Sequence, residues 1–404
     1  MHRRSVLAGM AAMSLGTGFS WSKPAAANSG LTGYIRTNWS QDPFSFGSYS
    51  YFAREAASQD YRELGRPIAG RIFFAGEATH TRYNSTVHAA LETGLSAAED
   101  ALQAKASSIA VIGAGVSGLT AAKVLADAGT SVTVFEARNR IGGRIWTSDE
   151  LGIPLDLGAS WIHGVTGNPL TELADELALK RLRTTDSYVV RGQNGRKMGF
   201  FTTPNSLIEA SEVQTAFGVE RELIDPAILE RDDGYRGHDV IFEDGYSAIF
   251  TGAEGGFALE LSSALESVDR TDSAVQLGFA GDKVHTCDAV IITVPLGVLK
   301  RDIIQFSPPL PKPKQQAIKR IGMGVLDKLY LRFDEVFWDS KTWIVTPRED
   351  LPRGQFTQWL NLEPYLGEPI IAAFNGGSAA LALADESDER VVEMALETLR
   401  GAYF

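Results

Sequence analysis

The stretch SIAVIGAGVSGLTAAKVLADAGTSVTVFE, residues 108–136, leaves this chain little choice of fold. A short apolar run precedes a glycine turn, an amphipathic helix ending at Gly129 follows, and a second apolar strand stops at an acid. Gly113, Gly115 and Gly118 stand in the G-x-G-x-x-G spacing. In a β-α-β unit the first glycine makes the tight turn, the second lets the backbone approach a pyrophosphate, and the third lets helix and strand pack closely. Ser117 lies in the same turn, at the helix N-terminus, where free N–H groups and the dipole favour a phosphate. Glu136, 18 residues after Gly118, is placed to accept hydrogen bonds from a ribose diol. The unit predicts dinucleotide binding, and by itself serves NAD and FAD equally.

The residues that follow separate the two. RNRIGGRIWT (138–147) and LDLGASWIHG (155–164) extend the glycine unit. Together with TVPLGVLK (293–300), DPFSFGSYSY (42–51) and GRIFFAGEATHTRYNSTVHAALETGLSAAEDAL (70–102), they resemble the flavin-dependent amine oxidases, the family of monoamine and polyamine oxidases. The resemblance runs from Leu31 to Phe404. It implies an α/β, two-domain FAD/NAD(P)-linked oxidoreductase-like fold, with a Rossmann-type FAD domain and a mixed-sheet substrate domain. The expected FAD domain is 66–165 and 237–300; the expected substrate domain is 31–65, 166–236 and 301–404.

The order of the blocks departs from the family. There the glycine motif opens the chain and GEATH closes it; here residues 31–104 carry the closing part and 105–404 begin with the opening one. Joining Phe404 back to Leu31 restores the family order, so the chain reads as a circular permutation. Such a change is tolerated when the joined ends are neighbours in space. The competing reading is a rearranged product that does not fold.

The resemblance assigns roles residue by residue. FAD contacts fall on Gly76 and Glu77 (a partner for ribityl or ribose hydroxyls), and on Arg144, Gly158, Ala159, Ser160, Trp161 and Leu265. Thr86 and Val87 lie along the isoalloxazine. Family members with covalent flavin carry a cysteine where Ser48 stands, so FAD is expected to be noncovalent. Tyr49 forms one wall of an aromatic cage, while Thr86 occupies the second cage position and leaves it open, similar to the polyamine oxidase and histone demethylase branches. An aromatic face attracts an ammonium and packs against a neutral amine. Lys328 sits in VLDKLYLRF, whose alternation by itself reads as a strand with a solvated face. The family's lysine there instead contacts flavin N5 through a water. His163 lies at the family's substrate channel, in a positioning or proton-handling role; a structural role is the alternative. His80 and His88 flank the flavin block and receive no catalytic role. Asp232 and Asp233 could grip a second ammonium, although a surface charge pair is the default reading.

The implied reaction is oxidation of an amine C–N bond by hydride transfer to flavin N5, with O2 as acceptor and aldehyde, amine and H2O2 as products. The substrate expected is a polyamine, as spermine, spermidine or an N-acetylated form. Alternatives are an oxidase of aromatic monoamines or amino acids on the same scaffold, and a flavin-binding protein without turnover. The formal net charge of −12 suits a cationic small molecule and argues against nucleic acid. The single cysteine, Cys287, excludes an intramolecular disulfide, and no His/Asp/Glu cluster has metal-site spacing. Residues 1–27 read as a targeting segment, with Arg3-Arg4, a diluted apolar run from Val6 to Trp21, and Ala25–Ala27 as the cleavage site. The twin arginines predict export of a folded protein to the periplasm or beyond; a chance pair in an ordinary secretory signal is the alternative. That run is short for a membrane span, so no stable membrane insertion is expected.

Overall fold

The computed structural model describes residues 30–199, 205–229, 234–253 and 255–404. The targeting segment and the Asp232–Asp233 pair lie outside them. Five short apolar runs pair in parallel in the order Ala258–Glu260, Ser131–Phe135, Ser108–Ile112, Ala289–Ile292, Ile72–Phe74. A parallel sheet is covered on both faces, and here each face has its own cover. Ile109 and Val111 bury against two helices, Val87–Gln103 and Val116–Asp127, through Ala97, Ala98, Ala101, Ala121, Ala122 and Leu125. Ala110 and Ile112 point the other way, onto Val268, Val275, Leu277 and Phe279 of an antiparallel meander. The two helices cross closely because Gly94 faces the backbone of Ser117, where any Cβ would overlap the Ser117 carbonyl.

The second sheet has seven strands in the order Leu31–Arg36, Leu326–Phe333, Ile370–Gly376, Gln358–Asn361, Trp343–Val345, Tyr188–Arg191, Lys197–Met198. It is mixed, because Tyr188–Arg191 runs parallel to Trp343–Val345 while the other pairs are antiparallel. Leu329, Leu331 and Phe333 bury against Val391, Val392, Ala395, Leu396 and Leu399 of the helix Asp388–Tyr403. That helix is well ended: the Ser387 side chain accepts from the Arg390 amide, and acids fill its first turn. The opposite face carries Tyr330, Ala372 and Phe374, buried against Leu151, Leu155, Leu157 and Ile241. Strand Leu326–Phe333 is therefore covered on both sides, and Lys328, solvated by pattern alone, is 4% exposed.

Two of the expected boundaries move. Gln305–Ser307 pairs in parallel with Leu265–Arg270, so the dinucleotide half extends past residue 300. Residues 166–183 also lie with that half. Leu170 and Ala174 of the helix Pro169–Glu176 pack with Val116, Val240 and Phe242, and Arg181–Arg183 pairs with Val240–Phe242. The physical reason is the apolar face of Pro169–Glu176, which finds its cover beside the glycine-turn helix. Connector 104–107 is tied down where it enters the first strand: the Ser107 amide and hydroxyl and the Ser108 amide all donate to Asp288. At the far end of the molecule, Leu31 pairs with Phe333, whose ring meets Phe337 at 4.9 Å; Phe337 in turn meets Phe404 at 5.3 Å. Among the described residues no helix is long and apolar enough to cross a membrane.

Candidate functional site

The glycine turn is built as its spacing requires. Gly113 has φ 106°, and a Cβ on Gly118 would overlap the Gly113 carbonyl oxygen, so helix and strand touch there only because the side chain is missing. Helix Val116–Asp127 starts at Gly115 with no side-chain cap, leaving its first amides free. Ser117 Oγ is buried beside them without a partner. Gly142 closes the turn from outside, its amide donating to the Ala114 carbonyl at 2.8 Å. Buried Glu136 is held by the Ala114 amide at 2.7 Å and the Arg138 amide at 2.8 Å. Its own carbonyl accepts from Ser263, two residues before half-buried Leu265. Free helix amides, an orphaned hydroxyl and a fixed acid at the strand end form a donor and acceptor set that fits the pyrophosphate and ribose of FAD.

A ribbon of backbone leads from this turn to Lys328. Gly142 and Gly143 run into Arg144, whose carbonyl accepts from Ala159 at 3.2 Å and leaves no room for a Cβ on Gly158. The turn 156–160 then receives Lys328. Nζ donates to the Asp156 carbonyl at 2.8 Å, the Gly158 carbonyl at 2.6 Å and Ser160 Oγ at 2.5 Å. Burial lowers the Lys328 ammonium from 10.5 to about 8. Burial also raises the Asp156 carboxyl to about 6, against the donors Thr147 and the Tyr246 amide. Through these three bonds Lys328 clamps the 156–160 turn from the facing strand.

Glu77 opens the short helical turn after the strand Ile72–Phe74. It follows Gly76 (φ 123°) and is buried, but its oxygens are already engaged. They accept from Ser50 Oγ at 2.6 Å, the Ser85 amide at 2.8 Å and Arg144 Nη1 at 2.8 Å, and from the Ser50 amide. Arg144 Nη1 also reaches the Ser48 carbonyl at 2.9 Å. Through these bonds Glu77 ties the strand Tyr49–Tyr51 and the loop before residue 86 to the dinucleotide half. Thr86 caps the helix Val87–Gln103: its hydroxyl accepts from the Ala89 amide and donates to the Tyr83 carbonyl at 2.6 Å. Val87 packs beside Val116, close to the glycine turn.

Around Lys328 the chain collects aromatic faces. Nζ lies 5.6 Å from the Phe374 ring and 5.9 Å from Trp161. Trp161 stacks on Trp343 at 6.1 Å and on His163 at 6.1 Å. Tyr49 belongs to the same neighbourhood, its hydroxyl donating to the Thr215 carbonyl at 2.5 Å while Thr215 Oγ1 meets Gln358, the strand partner of Phe374. Burial holds its phenol neutral. His163 Nδ1 is 2.7 Å from Asp239 Oδ2. Sequence reasoning missed Trp343, Phe374 and Asp239; the only available signal was an acid or tryptophan at the edge of an apolar strand. His80 is paired with Glu92 at 2.9 Å, and His88 is buried with Nε2 unpartnered and its imidazole lowered to about 4 by burial. Cys287 is buried on the strand Lys283–Cys287, its thiol pushed up to about 11 by burial, while Ser48 Oγ bonds Leu326 on both its amide and its carbonyl. No metal-binding group occurs among the described residues.

The family model described as flavin containing amine oxidoreductase matches residues 6–102, 116–208 and 190–404, and one for pyridine nucleotide-disulphide oxidoreductases matches 69–150. Among curated proteins, a probable polyamine oxidase 4 of Arabidopsis thaliana is 30% identical over 359 residues, 73% of this chain and 71% of its own length. Polyamine oxidase 4 of Oryza sativa is 28% identical over 72% of each chain. A lysine-specific histone demethylase 2 of Homo sapiens is 25% identical over 73% of this chain and 44% of its own length. Among solved structures, a doubly substituted putrescine oxidase superposes with a TM-score of 0.54 at 20% identity, covering 73% of this chain and 81% of that one. At that identity the likeness is one of fold.

Proposed function

The chain belongs to the family of flavin-containing amine oxidoreductases, and from its place there as a flavin-dependent amine oxidase we propose that its substrate is a polyamine: spermine, spermidine or an N-acetylated form. The observation that carries the reading is the aromatic wall of Trp161, Trp343 and Phe374 beside Lys328, with Tyr49 nearby. Such faces hold an alkylammonium by cation–π attraction and pack against the same nitrogen once it is neutral. Thr86, which caps its helix, occupies less space at its position than a second aromatic would. The names of the curated relatives point the same way.

FAD, bound noncovalently, would be held by the glycine turn, Ser117 and Glu136, and would supply the two-electron acceptor for the amine's α-carbon hydride and the redox chemistry with O2. The chain's part is positioning. The wall fixes the amine nitrogen and its neighbouring carbon, and the packed strands around Lys328 exclude water. Lys328 places a cation, charged below about pH 8, against the turn that borders the cofactor site. The imine product hydrolyses to aldehyde and a shorter amine; one O2 is reduced to one H2O2.

Anaerobic titration of the flavin spectrum with spermine, spermidine, N-acetylpolyamines, putrescine and tyramine tests the reading. Bleaching by the polyamines, reversed by air with release of peroxide, is expected. Bleaching by tyramine alone would move the chain to the aromatic monoamine oxidases. Because Ser48 stands where a covalent link would need a thiol, acid precipitation is expected to leave the yellow colour in the supernatant; colour in the pellet overturns noncovalent binding. We also read the order of the blocks as a circular permutation, supported by the approach of Leu31 and Phe404 through Phe333 and Phe337.

A further inference from the structure

His163 is exposed, yet it is held by three neighbours, Trp161, Asp239 and Asn168. Its ring lies flat on Trp161, 20° from parallel. Its Nδ1 meets Asp239 Oδ2 at 2.7 Å, and the other oxygen of that carboxylate accepts from the next amide, Gly164, at 2.9 Å. The carbonyls of His163 and Gly164 both accept from the Asn168 side chain, which is fully buried. Asp239 is itself anchored, since its carbonyl accepts from the Thr184 amide at 3.0 Å. An ordinary surface histidine has no need of such a frame, and an exposed ion pair adds little to stability. What the frame does fix is orientation. A carboxylate only accepts, so the ring nitrogen facing it carries a proton, and in the neutral imidazole the other nitrogen is then the acceptor.

We propose that Asp239 is a positioning residue: it holds His163 in the Nδ1-protonated tautomer, leaving Nε2 on the open side of the ring as a fixed acceptor for an N–H of the bound amine. The inference rests on the amine oxidase reading, because Trp161 joins His163 to the aromatic wall at Lys328. It deepens that reading by naming a hydrogen-bond acceptor beside the aromatic wall and the residue that aims it. The carboxylate of Asp239 suits this role. Burial would raise it, but the His163 and Gly164 donors hold it below its ordinary value, so it stays ionised.

The test uses the FAD-loaded protein labelled with 15N-histidine, the His163 signals being assigned by their loss in His163→Gln. The unvaried protein is expected to show the Nδ1-protonated form. In Asp239→Asn the carboxamide can donate as well as accept, so the two tautomers should mix. Kinetics supplies a second readout: KM for the polyamine that best bleaches the flavin should rise about tenfold in Asp239→Asn, with anaerobic flavin reduction at saturating amine within about twofold. If Asp239→Asn sheds its FAD, Asp239→Glu, which keeps the two acceptor oxygens, should restore both the tautomer and KM. An unchanged tautomer in a folded, yellow Asp239→Asn, or an unchanged KM, overturns the proposal. Failure of every amine to bleach the unvaried protein would sink the oxidase reading instead, and the histidine spectrum would still decide what Asp239 does.

Discussion

Lys328 shows what a single buried charge can organise. Its three donors bind three acceptors on the turn 156–160, and Tyr330 adds a fourth bond to the Asp156 carbonyl. Lys328→Met would leave the Gly158 carbonyl and Ser160 Oγ without the lysine donor in a dry site, each costing about 1–3 kcal/mol less whatever water recovers, while the Asp156 carbonyl keeps Tyr330. A fall in thermal midpoint and a loss of at least about tenfold in kcat are expected, measured by melting and by peroxide release; an unaltered midpoint would show that the turn holds itself. Its neighbour Asp327 carries the opposite cost. Burial raises that carboxyl from 3.8 to about 6, although Oδ1 accepts from the Trp39 amide at 2.8 Å and the Thr37 hydroxyl at 3.0 Å. Its folded value lies above its unfolded one, so between about pH 4 and 6 the folded chain holds more proton. The stability this confers is complete near pH 4 and is lost as pH rises through about 6. Asp327→Asn keeps the acceptor and drops the charge. It is expected to melt with the unvaried protein at pH 4 and above it at pH 7, by up to roughly 2–3 kcal/mol. Coincidence of the two melting curves at pH 7 would refute the burial cost.

At the scale of elements, the glycine turn carries the most consequence per residue. Strand Ser108–Ile112 and helix Val116–Asp127 meet where Gly118 faces the Gly113 carbonyl, and no side chain fits between them. Gly118→Ala must push the helix away or twist the turn, at about 1–3 kcal/mol for overpacking. The free amides and Ser117 Oγ would move with it. The expected product is a folded protein without visible flavin absorbance, checked by the spectrum of the purified variant; a fully yellow Gly118→Ala would mean that the close approach is dispensable. Most of this element was legible in the sequence because every interaction in it is local. The turn, the helix end at Gly129 and the acid at 136 lie within 30 residues of one another. Lys328 was not legible in the same way. Alternation along a strand reports which residues share a face, but the cover over the lysine face comes from Leu151, Leu155 and Leu157, far away in the chain.

At the scale of the molecule, two sheets meet over Lys328 and are tied by side-chain bonds as well as by packing. Glu77, Arg144 and Ser50 form one such tie; the bidentate pair of Arg138 with Asp42 forms another. Both join a residue of the 31–104 segment to one beyond 105, which is what the permuted order requires if the two segments form one fold. A chain reordered as 105–404 followed by 31–104 is therefore expected to bind FAD and to melt within a few degrees of the present order, as seen by flavin absorbance and calorimetry. Failure of the reordered chain to fold would refute the permutation reading. By itself the sequence determined the dinucleotide unit, the mixed second domain and the family, because periodicity, glycine spacing and block content are properties of neighbouring residues. Only the tertiary structure decided that Glu77 is a tie, that Lys328 is a buried clamp, and that Asp239 stands behind His163. Each of those depends on a partner brought in from a distant segment, and the burial that shifts their protonation exists only once both sheets have closed.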